Sequence, residues 1–174
     1  LEHRRQRQMC IRDSCRIFPG AVIGGVPQDL KFAGENTTAV IGDHTTIREC
    51  CTLNRGTTDR MTTRVGSHCL LMAYTHVAHD AVVGDHCVLA NCANIAGHVT
   101  IEDWVIIEGV VAVQQFVRIG QHAFVAGGSL VRKNIPPFVK VAREPLSYIG
   151  VNAIGLRRRG FADEFVRAVE DLSL

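Results

Sequence analysis

Between Val65 and Val131 an aliphatic residue returns at every sixth position: Val65, Leu71, Val77, Val83, Leu89, Ile95, Ile101, Ile107, Val113, Ile119, Val125 and Val131. Four places after each of the first eleven stands a small or β-branched residue: Cys69, Thr75, Ala81, Cys87, Ala93, Val99, Val105, Val111, Val117, Ala123 and Ser129. An amphipathic helix would return its apolar residues about every 3.6 positions and a half-buried strand about every 2, so neither explains a period of six. Six-residue recurrence marks a parallel β-helix, in which each repeat supplies a short strand and a turn. In the left-handed form three repeats complete one roughly triangular coil, and residues eighteen apart stack. The residue after the aliphatic one is often tiny, as at Gly66, Ala78, Gly84, Ala96, Gly120 and Ala126, and is expected to permit a tight turn. The pattern therefore predicts an all-β chain, a left-handed parallel β-helix of hexapeptide repeats, followed by the start of a C-terminal α-helical domain.

The same frame sets the boundaries. Residues 1–14, LEHRRQRQMCIRDS, show no hexads and are rich in arginine, so they read as a solvated or disordered lead or as sequence foreign to the fold. The β-helix is assigned to 15–135. Ile17 and Ile23 open it, and the Gly-, Pro- and polar-rich stretch 24–38 interrupts it as a loop. Ile41, Ile47 and Leu53 resume the frame, and a second excursion covers 55–64. Loops extruded from a regular solenoid are where binding residues concentrate. Residues 136–174 form a connector, opened by Pro136-Pro137, and the start of a helical domain patterned on Phe161, Phe165, Val166 and Val169. Its end at Leu174 is expected to be that of a fragment, with a truncated helical domain.

Composition narrows the function classes. A chain of 174 residues suits one domain, and a net charge of +2 gives no argument for nucleic acid. There is no run of eighteen apolar residues to span a membrane and no apolar centre for a secretory leader, and cysteines placed for packing make a reduced, cytoplasmic setting the expectation. Of seven cysteines, Cys51, Cys69 and Cys87 fall eighteen apart at the small inward position and are expected to form one packing column. There a thiol acts as a small hydrophobe, which favours neither a disulfide framework nor a metal site. His44, His68, His86 and His122 share the fourth place of their hexads and are expected to be surface histidines on exposed turns.

The segments QDLKFAGE (28–35), IRECCTLNRGT (47–57), LLMAYTHVAHD (70–80), AGHVTIED (96–103) and GVNAIGLRRRGF (150–161) resemble the UDP-N-acetylglucosamine O-acyltransferase family, over about Cys15 to Phe161. Residues 130–161 look most like Bacteroidetes members. The resemblance implies transfer of an (R)-3-hydroxyacyl group from acyl carrier protein to the 3-hydroxyl of UDP-N-acetylglucosamine, the first step of lipid A synthesis. It also implies a homotrimer with sites between adjacent subunits, no metal, and no cofactor beyond the substrates.

Such a reaction needs a base active near neutral pH, for which histidine is suited, and donors aimed at the developing oxyanion. THVAHD supplies His76, His79 and Asp80 within five residues, and stacking by eighteen sets His79 beside Gly97 and Asp80 beside His98. From the residues alone, His79 reads more readily as a polar turn residue than as a base. The resemblance implies that His79 is the general base, Asp80 its orienting carboxylate and the Gly97 N–H the oxyanion donor. It further implies that His76, His98, Gln114 and Gln115 contact the nucleotide sugar or acyl donor, as do Asp29 and Lys31. Asn152, Arg158 and Arg159 would lie near the uridine and phosphates, where a forked guanidinium suits an anionic oxygen. Gly127 would be the acyl-chain ruler, leaving room for a long chain.

Against these stand simpler readings: Asp29 and Lys31 as loop solubilisers, and Arg157–Arg159 as a solvated face or a contact for the acidic acyl carrier protein. Two residues depart from the family pattern. Gln114 replaces a histidine and cannot carry a proton at pH 7, and Glu108 stands where a small residue is usual. The other readings are a sister hexapeptide-repeat acyltransferase acting on an amino group, a zinc trimer resembling the γ-class carbonic anhydrases, and a purely structural solenoid. The zinc family spaces two ligands five apart, whereas His76 and His79 are three apart.

Overall fold

The computed structural model describes residues 9–143 and 145–172. Most of its strands are two residues long, an outward-facing residue followed by the aliphatic one, as in His76–Val77, Val82–Val83 and Val88–Leu89. Up to Leu130–Val131 the strands pair in parallel with the third strand along the chain, giving three sheets wrapped into a left-handed triangular prism. From Arg64 to Val131 the register steps by eighteen, with Val82 on Thr100 and Val83 on Ile101, and the last parallel pairings, such as Phe124 on Lys140, step by sixteen. The twelve aliphatic residues of the frame are at most 2% exposed and the eleven small ones at most 4%. Burying each aliphatic side chain contributes roughly 1.5–3 kcal/mol, and the three walls of the prism share that interior.

The corners turn in a way the glycine pattern does not predict. The left-handed backbone falls three residues after each aliphatic, on residues with side chains: Tyr74 (φ 63), Asp80 (φ 59), His98 (φ 63), Val110 (φ 59) and Phe116 (φ 66) among others. The tiny residues at 66 and 84 answer a different need. A Cβ on Gly66 would run into Asp85 Oδ1 and the Gly84 carbonyl, and one on Gly84 would run into Asp103. Close approach between coils, rather than backbone freedom, requires glycine there.

Three other expectations change. The β-helix begins before residue 15: strand Met9–Ile11 lies in the arginine-rich lead and pairs with Ala39–Ile41. Ile11 is six before Ile17 and continues the frame, but a lone aliphatic among polar residues gave no visible period. Residues 1–8 of that lead lie outside the described residues. Secondly, the two excursions change the stacking offset, to 30 between the first coil and the second and 24 between the second and third. Cys51 therefore stacks in the corner of Thr75, since Thr52 N–H reaches the Thr75 carbonyl. Cys69 and Cys87 share another corner, so the expected three-cysteine column is a pair.

Thirdly, the corner histidines form a column of rings, and its far end is buried. His44, His68, His86, Trp104, His122 and Phe138 stack in sequence with centroid separations of 5.0, 4.9, 4.1, 6.0 and 5.6 Å. His44 and His68 are exposed, but His122 is only 7% exposed because Phe138 and Phe161 close over it. After the last coil, Val139–Ala142 extends the second sheet in parallel and Ser147–Val151 returns antiparallel. Helices α1 (Ala153–Arg158) and α2 (Asp163–Leu172) follow, with Leu156 and Val166 buried. No helix among the described residues is long and apolar enough to cross a membrane.

Candidate active site

The corner between the third and first sheets carries His79 and Asp80, then Gly97 and His98 one coil on, then Gln115 and Phe116. His79 is 5% exposed and Asp80 fully buried. The His79 Nδ1 lies 2.9 Å from Asp80 Oδ2, and the ring lies against Gly97, where a Cβ would come within 2.8 Å of Nε2. The His98 ring meets that of His79 edge-on at 5.1 Å, and its Nε2 is 3.8 Å from Asp80 Oδ2. Stacking by eighteen thus places this group as the sequence suggests. Among the described residues, the Gly97 N–H has no hydrogen-bond partner.

The excursion at 55–64 completes the setting, and sequence reasoning missed it. The Asp80 carboxylate accepts from the Thr57 hydroxyl at 2.6 Å, the Thr57 N–H at 2.9 Å and the Arg60 N–H at 3.2 Å, besides His79. Burial alone would push the Asp80 carboxyl up. The Thr57 hydroxyl and the His79 ring, then the two amides, outweigh it and hold the group below the ordinary 3.8. Asp59 Oδ2 lies 3.0 Å from His98 Nδ1, off the angle of a hydrogen bond. These residues stand outside the hexad count. The usable signal was the offset of 24, which brings Thr57 within one position of Asp80 on the next coil.

Two adjoining depressions flank this corner. One, of about 340 Å³, is lined by Gln28, His76, His79, Gly97 and Gln115. Burial, then the nearby His79, holds the His76 ring below its ordinary value, and its Nδ1 lies 2.7 Å from Thr52 Oγ1. The other, of about 390 Å³, is lined by Asp29, Lys31, Asp59, His98 and Phe116. Asp29 also accepts the Lys31 N–H at 2.9 Å in a local turn, so part of its role is structural. Gln114 is exposed at the edge of the same corner.

The remaining predicted residues do not join His79 within one chain. Asn152, Arg158 and Arg159 line a cavity of about 550 Å³ with Ile106, Phe124 and Lys140, on the second sheet. Asn152 is 5% exposed, and its amide donates to the His122 carbonyl. Arg159 lies over the Trp104 ring and donates to its carbonyl at 3.0 Å, leaving Nη1 buried without a partner. Arg157 turns away to Asp163 at 2.7 Å, so the arginine run divides between a surface pair and a cationic cavity. Gly127 is exposed on the corner between the third and second sheets, and its N–H donates to Glu108 Oε2 at 2.9 Å. The Glu108 carboxylate is thus tethered beside that glycine.

Among the described residues, His79, Asp80 and His98 are the group of metal-ligand type whose donor atoms lie within 4.8 Å of one another. Both Asp80 oxygens and the His79 Nδ1 are already committed to hydrogen bonds. A cation there would have to displace them. The arrangement leaves His79 Nε2 without a hydrogen-bond partner among the described residues, with an ionised carboxylate on the opposite nitrogen and a bare amide alongside.

Residues 62–97 match the bacterial transferase hexapeptide family, and residues 134–172 match the family described as UDP-N-acetylglucosamine O-acyltransferase, domain 2. An acyl-[acyl-carrier-protein]–UDP-N-acetylglucosamine O-acyltransferase of Verminephrobacter eiseniae is 52% identical over 147 residues, 84% of this chain and 56% of that protein. The enzyme of that name from Myxococcus xanthus is 50% identical, over 90% of this chain and 61% of its own length. The chain thus spans somewhat less than two thirds of these relatives. Among solved structures, the UDP-N-acetylglucosamine acyltransferase of Bacteroides fragilis is 46% identical with a TM-score of 0.88, covering 94% of this chain and 67% of that one. That of Acinetobacter baumannii is 41% identical with a TM-score of 0.92, covering 94% and 64%.

Proposed function

The chain belongs to the UDP-N-acetylglucosamine O-acyltransferase family, and on that premise we propose that it moves a 3-hydroxyacyl group from acyl carrier protein to the 3-hydroxyl of UDP-N-acetylglucosamine. His79 Nε2 takes the proton of the sugar hydroxyl as the oxygen attacks the thioester carbonyl. Asp80 holds the opposite ring nitrogen and stabilises the imidazolium that forms, and the Gly97 N–H donates to the oxyanion. Collapse of the tetrahedral intermediate expels the thiolate, which recovers the proton from His79.

The observation that carries this reading is the 2.9 Å bond from His79 Nδ1 to a fully buried, ionised Asp80, with Gly97 flat against the ring. His76, His98, Gln114, Gln115, Asp29 and Lys31 bind the substrates around that corner, and Gly127 sets the room for the acyl chain. Arg158 and Arg159, with Lys140, bind the diphosphate. That cationic cavity lies on the second sheet and His79 on the edge of the third. A homotrimer that sets one subunit's cavity against the next subunit's His79 corner reconciles the two. The reaction is assigned to the cytoplasm, where carrier protein and sugar nucleotide meet.

The test is product formation from 3-hydroxyacyl carrier protein and UDP-N-acetylglucosamine by this chain, beside His79→Ala and Gln114→His. Transfer that falls by about 10²–10⁴ in His79→Ala supports the reading. A folded protein that makes no product with Gln at 114 or with His there overturns it.

A further inference from the structure

Thr57 lies outside every repeat, yet it makes two of the four hydrogen bonds to the Asp80 carboxylate. It is 7% exposed, and its N–H and hydroxyl grip opposite oxygens, Oδ1 at 2.9 Å and Oδ2 at 2.6 Å. The Arg60 N–H adds a second bond to Oδ1, and the Arg60 guanidinium reaches the Asp80 carbonyl at 3.1 Å. No rotation of the carboxylate keeps all of these. Asp80 sits on a left-handed turn (φ 59), so its backbone is also fixed.

We propose that Thr57 is a positioning residue for the transfer, the outer member of a Thr57–Asp80–His79 relay that sets the tautomer of the base. The Thr57 hydroxyl has one proton, and at 2.6 Å it is spent on Oδ2. An ionised Oδ2 can only accept from His79, so the ring proton sits on Nδ1 and Nε2 is bare; the Thr57 bonds keep that carboxylate charged and turned to the ring. The excursion at 55–64 is then a clamp that delivers Thr57 from one coil to the carboxylate of the next. The other titratable groups facing the pair are His98, 3.8 Å from Asp80 Oδ2, with Asp59 behind it, and His76. This inference rests on the acyl-transfer reading for its kinetic part.

The experiment compares the chain with Thr57→Val and Thr57→Ser by acyl-transfer kinetics across pH and by nitrogen NMR of the His79 ring. Thr57→Val is expected to lower kcat by up to about 100-fold with KM little changed. The acidic limb of its pH profile should move to higher pH, because Asp80 with one donor fewer places more of its charge on the ring N–H. Thr57→Ser, which keeps the hydroxyl, should recover most of the rate. An unaltered rate and profile in Thr57→Val overturns the proposal, as does an Nε2–H tautomer in the neutral wild-type ring. If Thr57→Val does not fold, Thr57→Ala removes the hydroxyl with less bulk and carries the same test. If the unaltered chain transfers no acyl group, the functional reading fails separately, and the His79 ring spectra of the wild type and Thr57→Val still judge Thr57.

Discussion

Replacing Gly97 by alanine tests the site most directly, because the consequence is geometric. The new Cβ would lie 2.7 Å from His79 Cε1, 2.8 Å from Nε2 and 3.2 Å from Nδ1. To restore an ordinary contact of 3.4 Å the imidazole must retreat by about 0.7 Å, since the Gly97 backbone is held between coils by the bonds of its neighbours Ala96 and His98. The ring is buried and tied through Nδ1, so that retreat stretches the bond to Asp80 and moves Nε2 away from the hydroxyl whose proton it is proposed to take. A displacement approaching 1 Å costs roughly 100-fold in rate, whereas overpacking one methyl costs about 1–3 kcal/mol of stability. Steady-state transfer should therefore show kcat lowered about 100-fold in a protein that remains folded. Gly109→Ala is the stability comparison: it occupies the same place two residues after an aliphatic, and its Cβ would meet only the Asn91 carbonyl, at 3.3 Å. A Gly97→Ala protein with kcat within twofold of the parent would refute the reasoning, for the ring would then be either free or uninvolved.

Two further outcomes follow from packing and burial. Gly84→Ala should lose about 1–3 kcal/mol and several degrees of Tm, because its Cβ would lie 2.8 Å from Asp103 N and closer still to Oδ1; an unchanged melt would contradict the close-approach account of these glycines. Acid should weaken the fold through His122, whose ring burial, and then the Arg159 charge, holds below the ordinary 6.5. As pH falls below 6.5 the unfolded chain takes up a proton that the folded chain resists, so stability present above that pH is lost. His122→Phe keeps the ring stack and should flatten the fall of Tm with pH below 6.5; an equal slope would exclude His122 as the cause.

How much the sequence disclosed depended on whether a residue belonged to the period. From Val65 to Val131 the interior was legible, since twelve aliphatic positions stand in one unbroken frame. His79 against Gly97 and Asp80 against His98 followed from stacking by eighteen. What escaped were contacts made by residues off the frame: Thr57, Asp59 and Arg60 reach the dyad from an excursion whose path no periodicity encodes. The same excursion changed the offset to 24 and separated Cys51 from Cys69. His122 was taken for a surface residue because its repeat resembles those of His68 and His86. Phe138 and Phe161, which cover it, come from non-repeating chain. Arg158 and Arg159 were identified by resemblance, but their distance from His79 within one chain could be seen only once the sheets were assigned to faces.

The triangular winding also bears on how the gene can change. Codons impose a frame of three bases, and this fold imposes a second frame of residues upon it. Loss of one codon between Val65 and Val131 preserves translation, yet it would turn every later aliphatic residue out of the interior until a corner absorbed the slip. Loss of six codons would keep the interior filled but rotate all later residues by one face, parting a corner such as His79–Asp80 from Gly97–His98. Only the loss of eighteen returns each side chain to its own face. Where the chain leaves the prism, at 26–37 and 55–61, the second frame does not apply, although the latter stretch must still deliver Thr57 and Arg60 to Asp80.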